Sequence, residues 1–188
     1  MKLLLTGDSL IARHEGKDIP HINFSLQEKM PNLEIINTAI CGVNSGALLA
    51  MLGDLVLKQD QCDYLVIMVG VNDEASHKHV PLKQYKQNLE GIVSGCICFY
   101  PGKKIILVSG PAVDEEKQHV RFNDELAEYS KVMSEVAREY KVQFVDFFNA
   151  MMTQGNLSKL CRGSLNDGLH FGEAGYNLLS KMLIEKIK

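Results

Sequence analysis

The 188-residue sequence predicts a single α/β domain, residues 1–188, in which helices cover both faces of a doubly wound, five-stranded parallel sheet. Three observations carry that prediction. Five short runs rich in Ile, Val and Leu lack the polar–apolar alternation of a half-exposed strand, the pattern of strands buried on both faces. Between them lie segments with apolar residues at helical spacing. The two kinds alternate as strand, helix, strand, the order of right-handed crossovers that build a three-layer α/β/α sandwich.

In chain order, the first strand is Lys2–Leu5. A weaker helical segment, Asp18–Met30, is bounded by Pro20 and Pro31 and leads to the second strand, Leu33–Thr38. Ser45–Lys58 carries Leu48, Leu49, Met51, Leu52, Leu55 and Val56 at helical spacing and precedes the third strand, Asp63–Val69. Pro81 opens the next helix, where its missing N–H has no intrahelical partner to lose, and the pattern runs to about Phe99. Lys103–Ser109 is the fourth strand. Phe122, Leu126, Tyr129, Val132, Met133, Val136 and Tyr140 then follow a 3.6-residue period up to the fifth strand, Val142–Asp146. The last helix begins near Glu173, with Leu178, Leu179, Met182, Leu183 and Ile187 along one face. Gly110–His119 and the stretch from about Phe147 to Gly172 read as long loops, including the segments 110–119 and 147–166 whose roles stay open.

Composition narrows the function classes. A net charge of −3 with only isolated basic pairs such as Lys103-Lys104 carries no electrostatic footprint for nucleic acid. The N-terminal apolar run, Leu3 to Leu5, is too short for a secretory segment, and no run approaches a membrane span. A cytoplasmic location is the expectation. The five cysteines are scattered without a C-x-x-C pair, so zinc and disulfide-exchange chemistry are disfavoured. Cys96-x-Cys98 reads as buried free thiols in an apolar helix.

In open parallel sheets the ligand site lies outside the carboxyl ends of the strands. The residues there are Gly7-Asp8-Ser9 after the first strand and Asn37 to Ser45, with Gly42, after the second. Gly70-Val71-Asn72-Asp73 follows the third, and Asp167-Gly168-Leu169-His170 lies between the fifth strand and the last helix. Their chemistry is coherent. A Ser hydroxyl needs a base to take its proton, commonly His, and the imidazole needs an acceptor on its other nitrogen. Asp167 and His170 are three residues apart, close enough to meet within one turn of backbone. The N–H groups of Ser9 and Gly42 and the Asn72 amide are candidate donors to a developing oxyanion. Asp8 reads as a residue that holds the turn or contacts the Asn72 loop.

These blocks resemble those of the SGNH hydrolases, also called GDSL esterases and lipases. Here they read GDSL at Gly7–Leu10, Gly42, GVND at Gly70–Asp73 and DGLH at Asp167–His170, in order across nearly the whole chain. Around Gly42 the chain departs from many relatives, with Ala39 and Val43 where a Gly and a polar residue are common. LNDGLHFGEAGYNLL is similar to the block of small isoamyl-acetate-hydrolase-like or lysophospholipase-like esterases. The resemblance implies a flavodoxin-like fold, a Ser9–His170–Asp167 triad, and an oxyanion hole from Ser9, Gly42 and Asn72, with no cofactor or metal.

The function this implies is a serine esterase acting on a small-molecule ester. Short acyl groups are expected, since the chain has no room for a lid domain. Carbohydrate O-deacetylation, thioester hydrolysis or a catalytically silent binding module on the same fold stay open, as do the substrate-binding residues and the oligomeric state. The remaining polar residues have milder readings. His77 and His79 lie two apart in a polar loop, without the helical spacing of a metal pair. His14 and His21 fall near the mouth of the site and read as surface residues, and Asp114-Glu115-Glu116 as a solvated loop face. His119 and Arg121 are candidates to contact a leaving group. A Gly-x-Gly-x-x-Gly loop and the Gly-x-Ser-x-Gly elbow are both absent.

Overall fold

A computed structural model describes residues 1–187. The five strands are β1 (Lys2–Gly7), β2 (Glu34–Asn37), β3 (Tyr64–Met68), β4 (Ile105–Val108) and β5 (Gln143–Val145). The helices are α1 (Ser9–Ala12), α2 (His21–Lys29), α3 (Ser45–Ala50), α4 (Val71–Glu74), α5 (Leu82–Cys96), α6 (Asn123–Glu139), α7 (Phe147–Gln154), α8 (Leu157–Leu160) and α9 (Glu173–Lys186). The strands form one parallel sheet in the order β2-β1-β3-β4-β5. The chain grows one way from β1 to β2 and the other way from β3 onward, so the topological switch lies between β1 and β3. A ligand crevice is expected outside their carboxyl ends. Ser9 follows β1 and Asn72 follows β3.

The strands lack polar alternation because each of their faces has its own core. Leu3, Leu5, Val66, Met68, Ile106 and Val108 pack on one side with residues of α1, α2, α7 and α9. Leu4, Leu65, Ile67, Ile105 and Leu107 pack on the other with α3, α5 and α6. Complete burial of each such side chain contributes about 1.5–3 kcal/mol. The helices turn their apolar stripes to these layers: Tyr85, Leu89, Ile92, Val93 and Cys96 of α5, and Leu126, Tyr129, Met133, Val136 and Ala137 of α6, are buried.

The helical segment expected over Ser45–Lys58 divides. It starts where predicted, with the Asn44 side chain accepting from Ala47 N–H at 2.9 Å, but α3 ends at Ala50. Gly53–Leu57 winds as a wider π-type turn, with Lys58 N–H donating to Gly53 C=O at 2.9 Å. Within it the Leu55 carbonyl accepts from the Thr38 hydroxyl at 2.8 Å, a tertiary bond that periodicity does not encode. The stretch from Phe147 is also not a plain loop. It carries α7 and α8, with Phe147, Phe148 and Met151 buried and Asp146 capping Asn149 N–H at 3.1 Å. Two turns are too few for a 3.6-residue pattern to stand out.

The end of β1 is bound tightly to its neighbour. Gly7 has φ +151°, and a Cβ there would lie 2.2 Å from the Met68 carbonyl oxygen of β3. Gly7→Ala combines backbone strain with a clash against main chain that cannot swing away. It should lower unfolding free energy by roughly 2–4 kcal/mol, read as a shift of the urea midpoint at unchanged slope.

Candidate active site

The turn after β1 is organised by Asp8. Its Oδ1 accepts from Leu10 N–H at 2.9 Å, and its carbonyl accepts from Ile11 and Ala12, which starts α1 at Ser9. Ser9 occupies the first helical position, where the N–H has no acceptor within the helix. The hydroxyl faces His170, with Oγ 2.9 Å from Nε2. The other ring nitrogen, Nδ1, lies 2.7 Å from Asp167 Oδ2. An ionised carboxylate only accepts, so Nδ1 carries the proton and Nε2 is left to accept from the Ser9 hydroxyl. Residues 161 positions apart in the chain thus form one hydrogen-bonded line.

Asp167 is held from its own turn as well. Its Oδ1 accepts from Leu169 N–H at 3.1 Å and His170 N–H at 3.0 Å. Partial burial pushes the Asp167 carboxyl up, but the bonds from the His170 backbone and ring and from Leu169 outweigh it, and the group lies below the ordinary carboxylate range. The turn is braced from behind by 110–119, the connection after β4. Asp114 N–H donates to Gly168 C=O at 2.8 Å, and Gln118 Nε2 donates to Asp167 C=O at 3.3 Å. Gly168 has φ +74°, and a Cβ would lie 2.6 Å from the Asp114 carbonyl oxygen. On its free side, Ser164 N–H donates to Glu15 Oε2 at 2.6 Å, tying 162–166 to the segment after α1. Arg13 pairs with Glu15 and reaches Ser164 Oγ at 3.3 Å.

The loops after β2 and β3 are joined. Asn72 is buried, and its Nδ2 donates to Val43 C=O at 2.9 Å, next to Gly42. Asp73 accepts from Ser45 N–H at 3.0 Å and from the Ser45 hydroxyl, and Asn88 Nδ2 donates to that hydroxyl at 2.8 Å. Gly42 is exposed, and its carbonyl accepts from Lys78 Nζ at 3.1 Å. Gly42 therefore lies at the surface, while Ser9 and Asn72 are buried.

Several side chains differ from their sequence readings. His21 is not a surface residue: it is 3% exposed and stacks on Tyr176 at 4.4 Å between ring centroids. Asp114 is buried rather than solvated, drawn in by the same backbone bond that braces Gly168. Cys96 is buried, but Cys98 is exposed because α5 ends at Cys96. Arg121 does not face outward toward a leaving group. It is 7% exposed and turns into the Asn72 loop, donating from Nε to Val71 C=O at 2.8 Å and from Nη2 to Asn72 Oδ1 at 3.0 Å. The sequence marks Arg121 as a candidate but not its partners, which lie about 50 residues upstream.

At Asp8, unlike Asp167, burial dominates. It pushes Asp8 up to about 7, against the Leu10 N–H bond and the Arg121 charge, which pull it down. Unfolded, the same group ionises near 3.8. Between those values the native state binds the extra proton, so the stability from Asp8 is full below the lower value and is lost as pH rises through the upper one. Asp8→Asn keeps an acceptor for Leu10 N–H and removes the ionisation. Urea unfolding from about pH 4 to about pH 8 should therefore show a shallower loss of stability in the variant than in the parent chain.

Comparison with known proteins shows what the chain as a whole is similar to. Residues 5–178 match the model of a family described as GDSL-like Lipase/Acylhydrolase. A GDSL esterase/lipase of Arabidopsis thaliana is 30% identical over 142 residues, covering 66% of this chain; the chain spans 58% of that relative's length. The isoamyl acetate-hydrolyzing esterase of Saccharomyces cerevisiae is 28% identical over 208 residues, covering 100% of this chain and 86% of the yeast protein. The crystal structure of a lipase/acylhydrolase from Enterococcus faecalis superposes with a TM-score of 0.85 at 25% identity, covering 99% of this chain and 94% of that one. Among the described residues, no helix is long and apolar enough to cross a membrane.

Proposed function

Because the chain belongs to the GDSL-like lipase/acylhydrolase family, we propose that it is a serine esterase working through an acyl-enzyme on Ser9. The observation that carries this is the continuous line from Ser9 Oγ to His170 Nε2 and from His170 Nδ1 to Asp167, at 2.9 and 2.7 Å. As Ser9 Oγ bonds to the ester carbonyl carbon, its proton passes to His170 Nε2, and Asp167 stabilises the imidazolium. The carbonyl electrons move onto oxygen, where the Ser9 N–H, the Gly42 N–H and the Asn72 amide are the donors. The tetrahedral adduct then expels the alkoxide, which takes the proton back from His170 and leaves as the alcohol. Water repeats the sequence: its proton goes to His170, its oxygen bonds to the acyl carbon, and the bond to Ser9 Oγ breaks, freeing the acid as Ser9 Oγ takes the proton back from His170.

Short acyl chains are the preferred substrates in this proposal. The likeness to an esterase that hydrolyses isoamyl acetate favours them. So does the close tethering of the flanking segments, 110–119 to Gly168 and 162–166 to Glu15. The test is fluorophosphonate labelling with mapping of the adduct, followed by p-nitrophenyl esters of graded length. The expected result is an adduct on Ser9 and kcat/KM highest for acetate to butyrate. An adduct elsewhere ends the Ser9 assignment, and faster turnover of long-chain esters ends the acyl preference.

A further inference from the structure

Arg121 lies in the connection between β4 and α6, yet four bonds lay that segment along α4. Val120 C=O accepts from Ser76 N–H at 3.0 Å, and Phe122 N–H donates to Glu74 Oε1 at 2.8 Å. Between them, Arg121 donates to Val71 C=O and to Asn72 Oδ1. A guanidinium buried this far commonly faces a carboxylate, but these two bonds go to neutral oxygens, one of them on a candidate oxyanion donor. The consequence is geometric. A carboxamide can present either end to its surroundings, and a guanidinium only donates. Arg121 and the Val43 carbonyl, a donor and an acceptor at opposite ends, therefore admit one orientation of Asn72, with Oδ1 toward the guanidinium and the NH₂ group toward Val43. One N–H meets the Val43 carbonyl, and the second is free for an incoming oxyanion.

We infer that Arg121 is a positioning residue for ester hydrolysis, acting through Asn72 by fixing the carboxamide with its NH₂ toward the oxyanion. The inference rests on the esterase reading above. The planar fork reaches Val71 and Asn72 together, so the amide is locked to the backbone that carries it. A lysine, with a single ammonium on a shorter reach, cannot hold both acceptors in one plane. The interaction stabilises charge that exists only in the transition state, so its loss lowers kcat and leaves KM nearly unchanged.

The experiment is a double-mutant cycle on p-nitrophenyl acetate with Arg121→Gln, Arg121→Lys and Asn72→Ala. Asn72→Ala should lower kcat by about 10²–10³, the usual effect of one lost oxyanion donor. Arg121→Gln and Arg121→Lys should each lower kcat about tenfold or more at nearly constant KM, and should change it less than twofold when Asn72 is already Ala. Equal losses in both backgrounds, a rise in KM without a fall in kcat, or full activity in Arg121→Lys would overturn the inference. If Arg121→Gln does not fold, Arg121→Lys carries the cycle, with its thermal midpoint measured alongside. A parent chain that neither labels with fluorophosphonate nor hydrolyses the ester refutes the esterase reading. The orientation of Asn72 is then judged by NMR of its side-chain NH₂ group: protons protected from solvent exchange in the parent that lose that protection and shift in Arg121→Lys support Arg121, and unchanged shifts and protection refute it.

Discussion

Ser9→Ala should lower kcat for p-nitrophenyl acetate by about a millionfold, the scale on which removal of the nucleophile or the base collapses a serine hydrolase triad. The substitution removes one oxygen atom and one hydrogen bond, that to His170 Nε2. Ser9 stands in the first turn of α1, whose cap comes from Asp8 and not from the Ser9 hydroxyl. Stability should therefore change by no more than about 1 kcal/mol. The discriminating measurement is kcat beside a urea midpoint, with the fluorophosphonate adduct absent from the variant. Turnover that survives in a folded Ser9→Ala chain would assign the chemistry to another residue.

Asp167→Asn should lower kcat by about 10⁴, the effect of forcing the wrong imidazole tautomer in the serine-protease template. The local bonds leave the variant little freedom to escape that effect. Asp167 Oδ1 already accepts from Leu169 and His170 N–H, so an Asn oxygen is claimed by those two donors. The NH₂ group must then face His170 Nδ1, which becomes an acceptor, and the ring proton moves to Nε2. In that state Nε2 cannot take the Ser9 proton. Turning the amide over would place its NH₂ against two backbone N–H groups, at the cost of both bonds. The same substitution should alter the acid side of the stability profile. Asp167 ionises below its ordinary range in the fold, so its contribution is present above that range and is lost as pH falls through the lowered value. Acid unfolding followed from about pH 6 downward should therefore be less steep in Asp167→Asn.

The legible parts of this molecule share a cause. Leu3, Leu4 and Leu5 form an unbroken apolar run because alternate side chains enter two different cores. Gly7-Asp8-Ser9 and Asp167-Gly168-Leu169-His170 each carry in four or fewer residues the turn, the cap and the polar group, so their local bonds are written in adjacent positions. Parallel strand order then brings them to one edge. The π-type turn at Gly53–Leu57, the buried stack of His21 on Tyr176 and the inward Arg121 had no such signal. Each depends on a partner contributed by a distant segment.

Taken by itself, the sequence determined the layered α/β class, the strand and main helix positions, and which polar residues follow the strands as candidates for a triad and oxyanion donors. Those follow from periodicity and turn chemistry, which act over a few residues. Only the tertiary structure decided how the loops after β2, β3 and β4 interlock: Asn72 on Val43, Arg121 on Asn72, and 110–119 against Gly168. These bonds join segments about 30 to 55 residues apart. Their geometry is set by the register of the parallel strands and the packing of the helices between them, and no local pattern in the chain records it.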